Sequence, residues 1–229
     1  MMRMLVALAI IALATSPVLA GTPADPGTVA WNNKIAMNTR GIDGVFVVQD
    51  DGTIRHVQSG MVCPATFANV KLWHLETFPS PRGKGMDVSC DYGRNGPDNR
   101  FVSKLTLFAT IAPDGTTLDT AFAAYRSEVI RANPGIQSEG PLPLPPHVML
   151  PGEWKSESFL ERRADRAFTS ELIVALRGKW MFEVRTTYDG SRGDSMETLQ
   201  SSIAEVTAAQ ADRTMAATAF AATVVTLPK

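Results

Sequence analysis

The sequence predicts an α+β domain, in which a largely antiparallel sheet of about six to eight strands packs against two main helices and is stapled by one disulfide. Three observations predict this fold. Short β-branched or alternating runs are separated by turn residues, two segments carry apolar residues at helical spacing, and two cysteines occur in a chain with an export signal. The chain of 229 residues is long enough for one large domain.

The first twenty residues predict a cleavable secretory signal peptide. Arg3 supplies a positive start, residues 5–14 are apolar throughout, and residues 18–20 place small side chains at a cleavage site. We expect cleavage between Ala20 and Gly21, which predicts a periplasmic or secreted protein. The apolar run is shorter than the roughly 18 residues of a membrane-spanning helix, so no transmembrane segment is expected.

The organisation predicted for the rest of the chain is a single domain with flanking segments. Residues 21–43 are expected to form a flexible leader and a short helix, residues 44–216 the α+β domain, and residues 217–229 a C-terminal tail. Within the domain, residues 133–152 contain six prolines, which favours a long loop over a strand or a helix.

Strands are predicted from runs of alternating or β-branched residues. The run 45–48 followed by Asp51-Gly52 predicts a hairpin at the start of the domain. The further predicted strands are residues 69–77, 86–92, 101–110, 154–161, 168–177 and 179–188. Alternation in the last two predicts an antiparallel pair, with one apolar face and one face toward water that carries Glu171, Glu183 and Arg185.

Two helices are predicted from apolar spacing. Leu118, Phe122, Tyr125 and Val129 form the stripe of the first, which Asn133-Pro134-Gly135 ends because proline lacks the backbone donor that the next turn needs. The second is predicted to begin at Asp194, with its capping box, and its buried stripe is Met196, Leu199, Ile203 and Val206.

The chain contains two cysteines, Cys63 and Cys90. In an exported protein the leading interpretation is one intramolecular disulfide. Alternation places Cys90 on the same strand face as Val88 and Tyr92, which favours a structural role in the core. The alternative is a soft-metal site formed by Met61, Cys63 and His74, a set whose spacing matches no established ligand pattern.

Catalytic motifs are absent from the sequence. The three histidines are isolated, and neither a Gly-x-Ser-x-Gly turn nor a glycine-rich phosphate loop occurs. No catalytic residue, metal or cofactor is therefore assigned. The best candidates for acid–base chemistry are His74, Glu76 and Asp91, although a partly buried, hydrogen-bonded histidine on the strand face of Leu72 is the favoured interpretation of His74.

Two segments resemble known exported proteins. Residues 59–64, Ser-Gly-Met-Val-Cys-Pro, and residues 87–92, Asp-Val-Ser-Cys-Asp-Tyr, resemble a pattern in small exported proteins of alphaproteobacteria. This resemblance implies a conventional cysteine pair and no activity. The order of strands, helix, proline-rich connection, strands and final helix is similar to the PsbP/Mog1 type of α/β/α sandwich, which implies a layout but no function.

These observations predict an exported, soluble, non-enzymatic domain that binds a protein, a lipid or another envelope component. A formal net charge of −1 gives no electrostatic reason to expect a nucleic-acid partner. Two alternatives stay open. One is a periplasmic hydrolase with a His and carboxylate site, and the other is a soft-metal binding protein.

Overall fold

A computed structural model gives the fold of the protein and describes Trp31, Ile35 and residues 42–67, 70–95, 101–142, 153–163 and 166–189. The predicted signal peptide, the predicted helix from Asp194 and the C-terminal tail lie outside these residues. The elements are β1 (Phe46–Val48), β2 (Ile54–His56), β3 (Val62–Cys63), β4 (Thr66–Phe67), β5 (Val70–Thr77), β6 (Asp87–Asn95), β7 (Phe101–Ile111), α1 (Leu118–Ala132), β8 (Gln137–Gly140), β9 (Trp154–Arg163), β10 (Arg166–Arg177) and β11 (Trp180–Asp189).

The described residues form two antiparallel sheets and one helix. The large sheet has eight strands in the order β4-β5-β6-β7-β11-β10-β9-β8, and the small sheet has three in the order β1-β2-β3. The predicted α+β class with two main helices is therefore wrong, because the fold is mostly antiparallel β-sheet with a single helix among the described residues. No helix in this part of the chain has the length and hydropathy needed to cross a membrane.

Each predicted strand has a counterpart in the structure, and three short strands were not predicted. β3 and β4 have two residues each, too few for a periodic signal. β8 falls inside the proline-rich segment 133–152 that was expected to be a loop throughout, and this expectation is wrong for Gln137–Gly140. These four residues contain no proline, and they pair with β9 at the edge of the large sheet, where prolines nearby are tolerated.

The two faces of the large sheet are covered differently. The small sheet packs on one face, which we call the small-sheet face, and α1 packs on the other, the helix face. Between the two sheets lies the larger core cluster, to which both sheets contribute fully buried residues such as Ile54, Met61, Leu72 and Leu75. Burial of such side chains contributes about 1.5–3 kcal/mol each, so this cluster is the main source of stability.

A disulfide between Cys63 in β3 and Cys90 in β6 joins the two sheets, as predicted. Their Cα atoms are 6.2 Å apart, within the range that a disulfide spans. Cys90 shares the small-sheet face with Val88 and Tyr92, and all three are fully buried, which confirms the predicted orientation. The Tyr92 hydroxyl donates a hydrogen bond to the carbonyl oxygen of Pro64 at 2.9 Å.

The helix α1 begins at a capping box and ends at the predicted stop. The Thr117 side chain accepts from the backbone N–H of Thr120, whose hydroxyl in turn accepts from the Thr117 backbone N–H. The predicted apolar stripe faces the sheet, where it forms a second core cluster with residues of β9, β10 and β11. The sheet residues of that cluster are Phe159, Leu172, Val174 and Met181.

The predicted water-facing side of the last two strands is not observed. β10 and β11 lie in the middle of the large sheet and are buried along nearly their whole length. Glu171 is 2 % exposed and accepts hydrogen bonds from the Tyr188 and Thr186 hydroxyls at 2.9 and 3.1 Å. Alternation was therefore a correct guide to the two faces of each strand, but the prediction that the polar faces of the two strands coincide was wrong, because Glu171 lies on the small-sheet face and Glu183 and Arg185 lie on the helix face. The inference that the polar face meets water was also wrong.

Candidate functional site

The helix face of the large sheet has an apolar part and a polar part. The antiparallel register places Leu172 and Val174 of β10 directly beside Arg185 and Glu183 of β11, so the apolar face of one strand continues into the polar face of the next. α1 covers the apolar part, over β9 and β10. The polar part, over β11, β7, β6 and β5, is left beside the helix as an open cavity.

This cavity has a volume of about 580 Å³, which suits a small organic molecule. Its floor is the helix face of four strands and its wall is one side of α1, where Ala121 and Ala124 leave room that larger side chains would fill. Charged and aromatic groups line it together. The lining residues used below are Glu76, Asp87, Ser89, Asp91, Lys104, Phe108, Tyr125, Glu128, Glu183 and Arg185.

Glu183 is the most deeply buried carboxylate of the cavity, with a side chain that is 1 % exposed. Burial raises its pKa to about 7, against the opposing effect of the adjacent Arg185 guanidinium. The carboxylates of Glu128 and Asp87 raise it further. The cavity therefore contains a carboxyl group that changes charge near neutral pH, a property associated with functional sites.

Arg185 connects the floor of the cavity to the helix. Its Nε donates to Glu183 and its Nη2 donates to Oε2 of Glu128 at 2.9 Å. The guanidinium lies over the ring of Phe108 at 5.3 Å and near that of Tyr125 at 5.9 Å. One cation is thus already held here by two carboxylates and two aromatic rings, an arrangement that binds cations well.

Two further polar groups of β6 face the same space. Burial raises the pKa of Asp87, opposed by a hydrogen bond that the Thr110 hydroxyl donates at 2.8 Å. Ser89 is 1 % exposed, and its hydroxyl has no hydrogen-bond partner among the residues that the structure describes. This hydroxyl is therefore available as a donor or an acceptor to a molecule in the cavity.

His74 lies on the helix face because of a β-bulge. The pairing of β5 with β6 shifts between Leu72 and His74, so Trp73 is an extra residue that is 53 % exposed. Simple alternation predicted His74 on the face of Leu72, and this prediction is wrong because the bulge reverses the faces after Leu72. His74 is consequently paired with Asp91 at the rim of the cavity.

The three predicted acid–base candidates are brought together at this rim. His74 and Glu76 are two residues apart on one face of β5, and Asp91 is the direct partner of His74 on β6. The Nδ1 atom of His74 lies 3.4 Å from Oδ2 of Asp91, and donor atoms of all three residues lie within 4.8 Å of one another.

The Asp91 carboxylate is held in a fixed orientation. Its Oδ1 atom accepts a hydrogen bond from the Thr106 hydroxyl at 2.7 Å and lies 3.5 Å from Nζ of Lys104. The residue is buried, whereas His74 is partly exposed and Glu76 exposed. Asp91 therefore presents its second oxygen, Oδ2, to the imidazole at the opening of the cavity.

The predicted soft-metal set is not brought together. Cys63 is bonded to Cys90, and Met61 is fully buried in the core between the sheets, on the opposite side of the large sheet from His74.

His56 is also fully buried, with Nδ1 2.7 Å from the Ser59 hydroxyl, and burial lowers its pKa to about 4. His147 lies outside the described residues.

Sequence reasoning missed Glu183 and Arg185, which are central to the cavity. The signal was present, since a glutamate and an arginine two residues apart interrupt an otherwise apolar and β-branched run. Chemically, the cavity offers carboxylates and aromatic faces to one small ligand, and the His74 imidazole adjoins it through its contact with Asp91. Comparison with known proteins adds no assignment, because no family model and no curated protein sequence matches the chain.

Proposed function

We propose that this protein is an exported binding protein whose cavity holds a small organic cation. One observation carries the proposal: the described lining residues include five carboxylates and two basic groups. The carboxylates are Glu76, Asp87, Asp91, Glu128 and Glu183, and the basic groups are Lys104 and Arg185. Ionised carboxylates in such excess repel anions and attract a cation, and the low-dielectric walls strengthen that attraction.

The aromatic lining favours a ligand that also has an apolar or planar part. Phe108 packs against Phe78, with ring centroids 6.3 Å apart, and its face is already in contact with the Arg185 guanidinium. Amines and amidines with an aromatic or aliphatic body fit this combination of charge and apolar surface.

Export is part of this proposal. The disulfide between Cys63 and Cys90 supports it, because disulfides persist in oxidising compartments such as the periplasm or the extracellular space. The N-terminal signal and its cleavage between Ala20 and Gly21 supply the route. The ligand would thus be met outside the cytoplasm, as a small envelope or environmental compound rather than a protein surface.

A charge series with one aromatic body tests the proposal. Benzamidine, benzamide and benzoate have similar shapes and carry a positive, zero and negative charge. In calorimetric titrations at pH 8, benzamidine is expected to bind at least about tenfold more tightly than benzamide, a difference of 1.4 kcal/mol, and benzoate is expected not to bind. Replacing Asp87 by Asn is expected to weaken benzamidine binding by about three- to tenfold.

The matched control is Asp50→Asn, an exposed aspartate of the β1–β2 loop, which should leave benzamidine affinity unchanged. Equal affinity for all three compounds would contradict a site selective for cations. Equal losses in Asp87→Asn and Asp50→Asn would show that the effect comes from net charge rather than from the cavity.

A hydrolase is the second candidate, and the His74–Asp91 pair favours it. A histidine beside a buried, oriented carboxylate is the arrangement by which enzymes position a general base. Turnover of p-nitrophenyl acetate that exceeds the buffer rate and is lost in His74→Gln would establish this candidate. Turnover that is unchanged in His74→Gln, Glu76→Gln and Asp91→Asn would remove it.

A further inference from the structure

We infer that His74, Glu76 and Asp91 form a binding site for one divalent transition-metal ion, of which Zn²⁺ is the representative. The site shares Glu76 and Asp91 with the cavity, but it does not depend on the organic cation proposed there. An imidazole nitrogen and two carboxylate oxygens are common protein ligands of zinc, and here their donor atoms all lie within 4.8 Å of one another.

The spacing of the closest pair suits a shared ion. Ligand atoms about 2.0–2.2 Å from a zinc ion in tetrahedral coordination lie about 3.4 Å from each other. Nδ1 of His74 and Oδ2 of Asp91 are separated by 3.4 Å, which is long for a strong charge-assisted hydrogen bond. Glu76, which is exposed and two residues from His74 on the same face, needs only a side-chain rotation to supply a third oxygen.

The backbone is built to place these donors together. The β-bulge at Trp73 moves His74 out of the core face and opposite Asp91, and bulges commonly re-aim side chains at functional sites. The Thr106 hydroxyl binds Oδ1 of Asp91 at 2.7 Å, which leaves Oδ2 free to face the imidazole. In metal sites the ligating carboxylate is typically held by a hydrogen bond from a neighbouring residue, as Thr106 holds Asp91 here.

Ser89 is the second, independent observation. It lies directly opposite Glu76 in the register and two residues before Asp91, so the three side chains share the helix face. Its hydroxyl is buried and lacks a partner within the described part of the chain. Serine is seldom a zinc ligand, but a water on the ion would satisfy this hydroxyl and fill an open coordination position.

The Lys104 ammonium opposes the binding of a metal ion. It lies 3.5 Å from Oδ1 of Asp91, on the side away from His74, and the lysine side chain is 50 % exposed. A lysine exposed to this degree turns toward solvent at little cost when a divalent ion takes over the charge of the carboxylate. The mixed nitrogen and oxygen donors favour a transition ion over Mg²⁺, which prefers oxygen ligands.

The test is calorimetric titration of the full chain, freed of metal by chelation and purified without a histidine tag, with ZnCl₂ at pH 7.5. We expect one Zn²⁺ per chain, and at least tenfold weaker binding in His74→Gln and in Asp91→Asn. MgCl₂ should bind at least tenfold more weakly than ZnCl₂. Asp50→Asn is the control and should bind zinc as the unaltered chain does.

Failure to bind one Zn²⁺, or equal binding by His74→Gln and the unaltered chain, would overturn the inference. Because His74 is partly exposed, His74→Gln remains informative if Asp91→Asn does not fold. The result is separable from that of the cavity, since His74→Gln retains every cavity carboxylate and its benzamidine affinity is measured in a separate titration.

Discussion

Replacing both Cys63 and Cys90 by alanine is expected to lower the free energy of unfolding by about 3–4 kcal/mol. The disulfide closes a loop with a sequence separation of 27, and in the chain-entropy account a loop of this length restricts the unfolded chain by about that amount. The bond also ties the small sheet to the large one across the main core. The measurement is urea denaturation of the double variant at pH 7.

Met61→Leu is the matched control, because Met61 is fully buried in the same core cluster and the exchange nearly conserves volume. It should cost less than about 1.5 kcal/mol. A loss below about 1 kcal/mol in the cysteine double variant would contradict the view that the bridge is a principal structural tie.

Stability is expected to fall as pH rises through about 7, because Glu183 binds its proton more tightly in the folded state than in the unfolded state. Burial raises its pKa to about 7, above the ordinary value of 4.5, so the folded state binds more protons than the unfolded state between these two values. The stabilising contribution is fully present below pH 4.5 and is lost as pH rises through about 7. A shift of this size corresponds to about 3 kcal/mol.

Urea denaturation at intervals from pH 4.5 to 8.5 measures this dependence, with Glu183→Gln as the test variant. The slope of stability against pH between 5 and 8 should be clearly smaller in Glu183→Gln than in the unaltered chain. Asp114→Asn, at a fully exposed carboxylate, should keep the original slope. Parallel curves for the unaltered chain and Glu183→Gln would show that this carboxyl group is ionised throughout.

Most of the sheet could be predicted from sequence, because the longer strands are recognisable by alternating side chains and by the turn residues between them. The β10–β11 hairpin is an example, since Gly178 and Lys179 form the two-residue connection with Gly178 at a φ of 55°. The predicted fold class was wrong because the described residues form two antiparallel sheets with a single helix. The strands that were not predicted, β3, β4 and β8, have only two to four residues, too few for a periodic signal, and β8 lies in a proline-rich segment.

The candidate site could be predicted only in part. His74, Glu76 and Asp91 were selected by residue type and proximity in sequence, and the structure brings them together, although their chemistry stays a prediction. The orientation of His74 depended on a bulge at Trp73, which period-two reasoning does not detect. A shift of one residue moves every later side chain to the other face, so a single bulge determines which side chains of the strand lie on the helix face.

Glu183 and Arg185 were predicted to face water, because the order of strands in a sheet cannot be deduced from alternation. A polar strand face is exposed when its strand lies at the edge, or when that face of the sheet is uncovered. β11 lies instead between β7 and β10, and its polar face continues the apolar floor beneath α1. The acidic cavity is therefore a product of strand order and register.

The most direct test of the cavity as the binding site is a benzamidine titration of the ¹⁵N-labelled full chain followed by NMR. We predict saturable amide shifts concentrated at the cavity floor and wall, at Ser89, Phe108, Glu183 and Tyr125, and none of this pattern with benzoate. Shifts confined to the small sheet, or the same shifts with benzoate, would contradict the account.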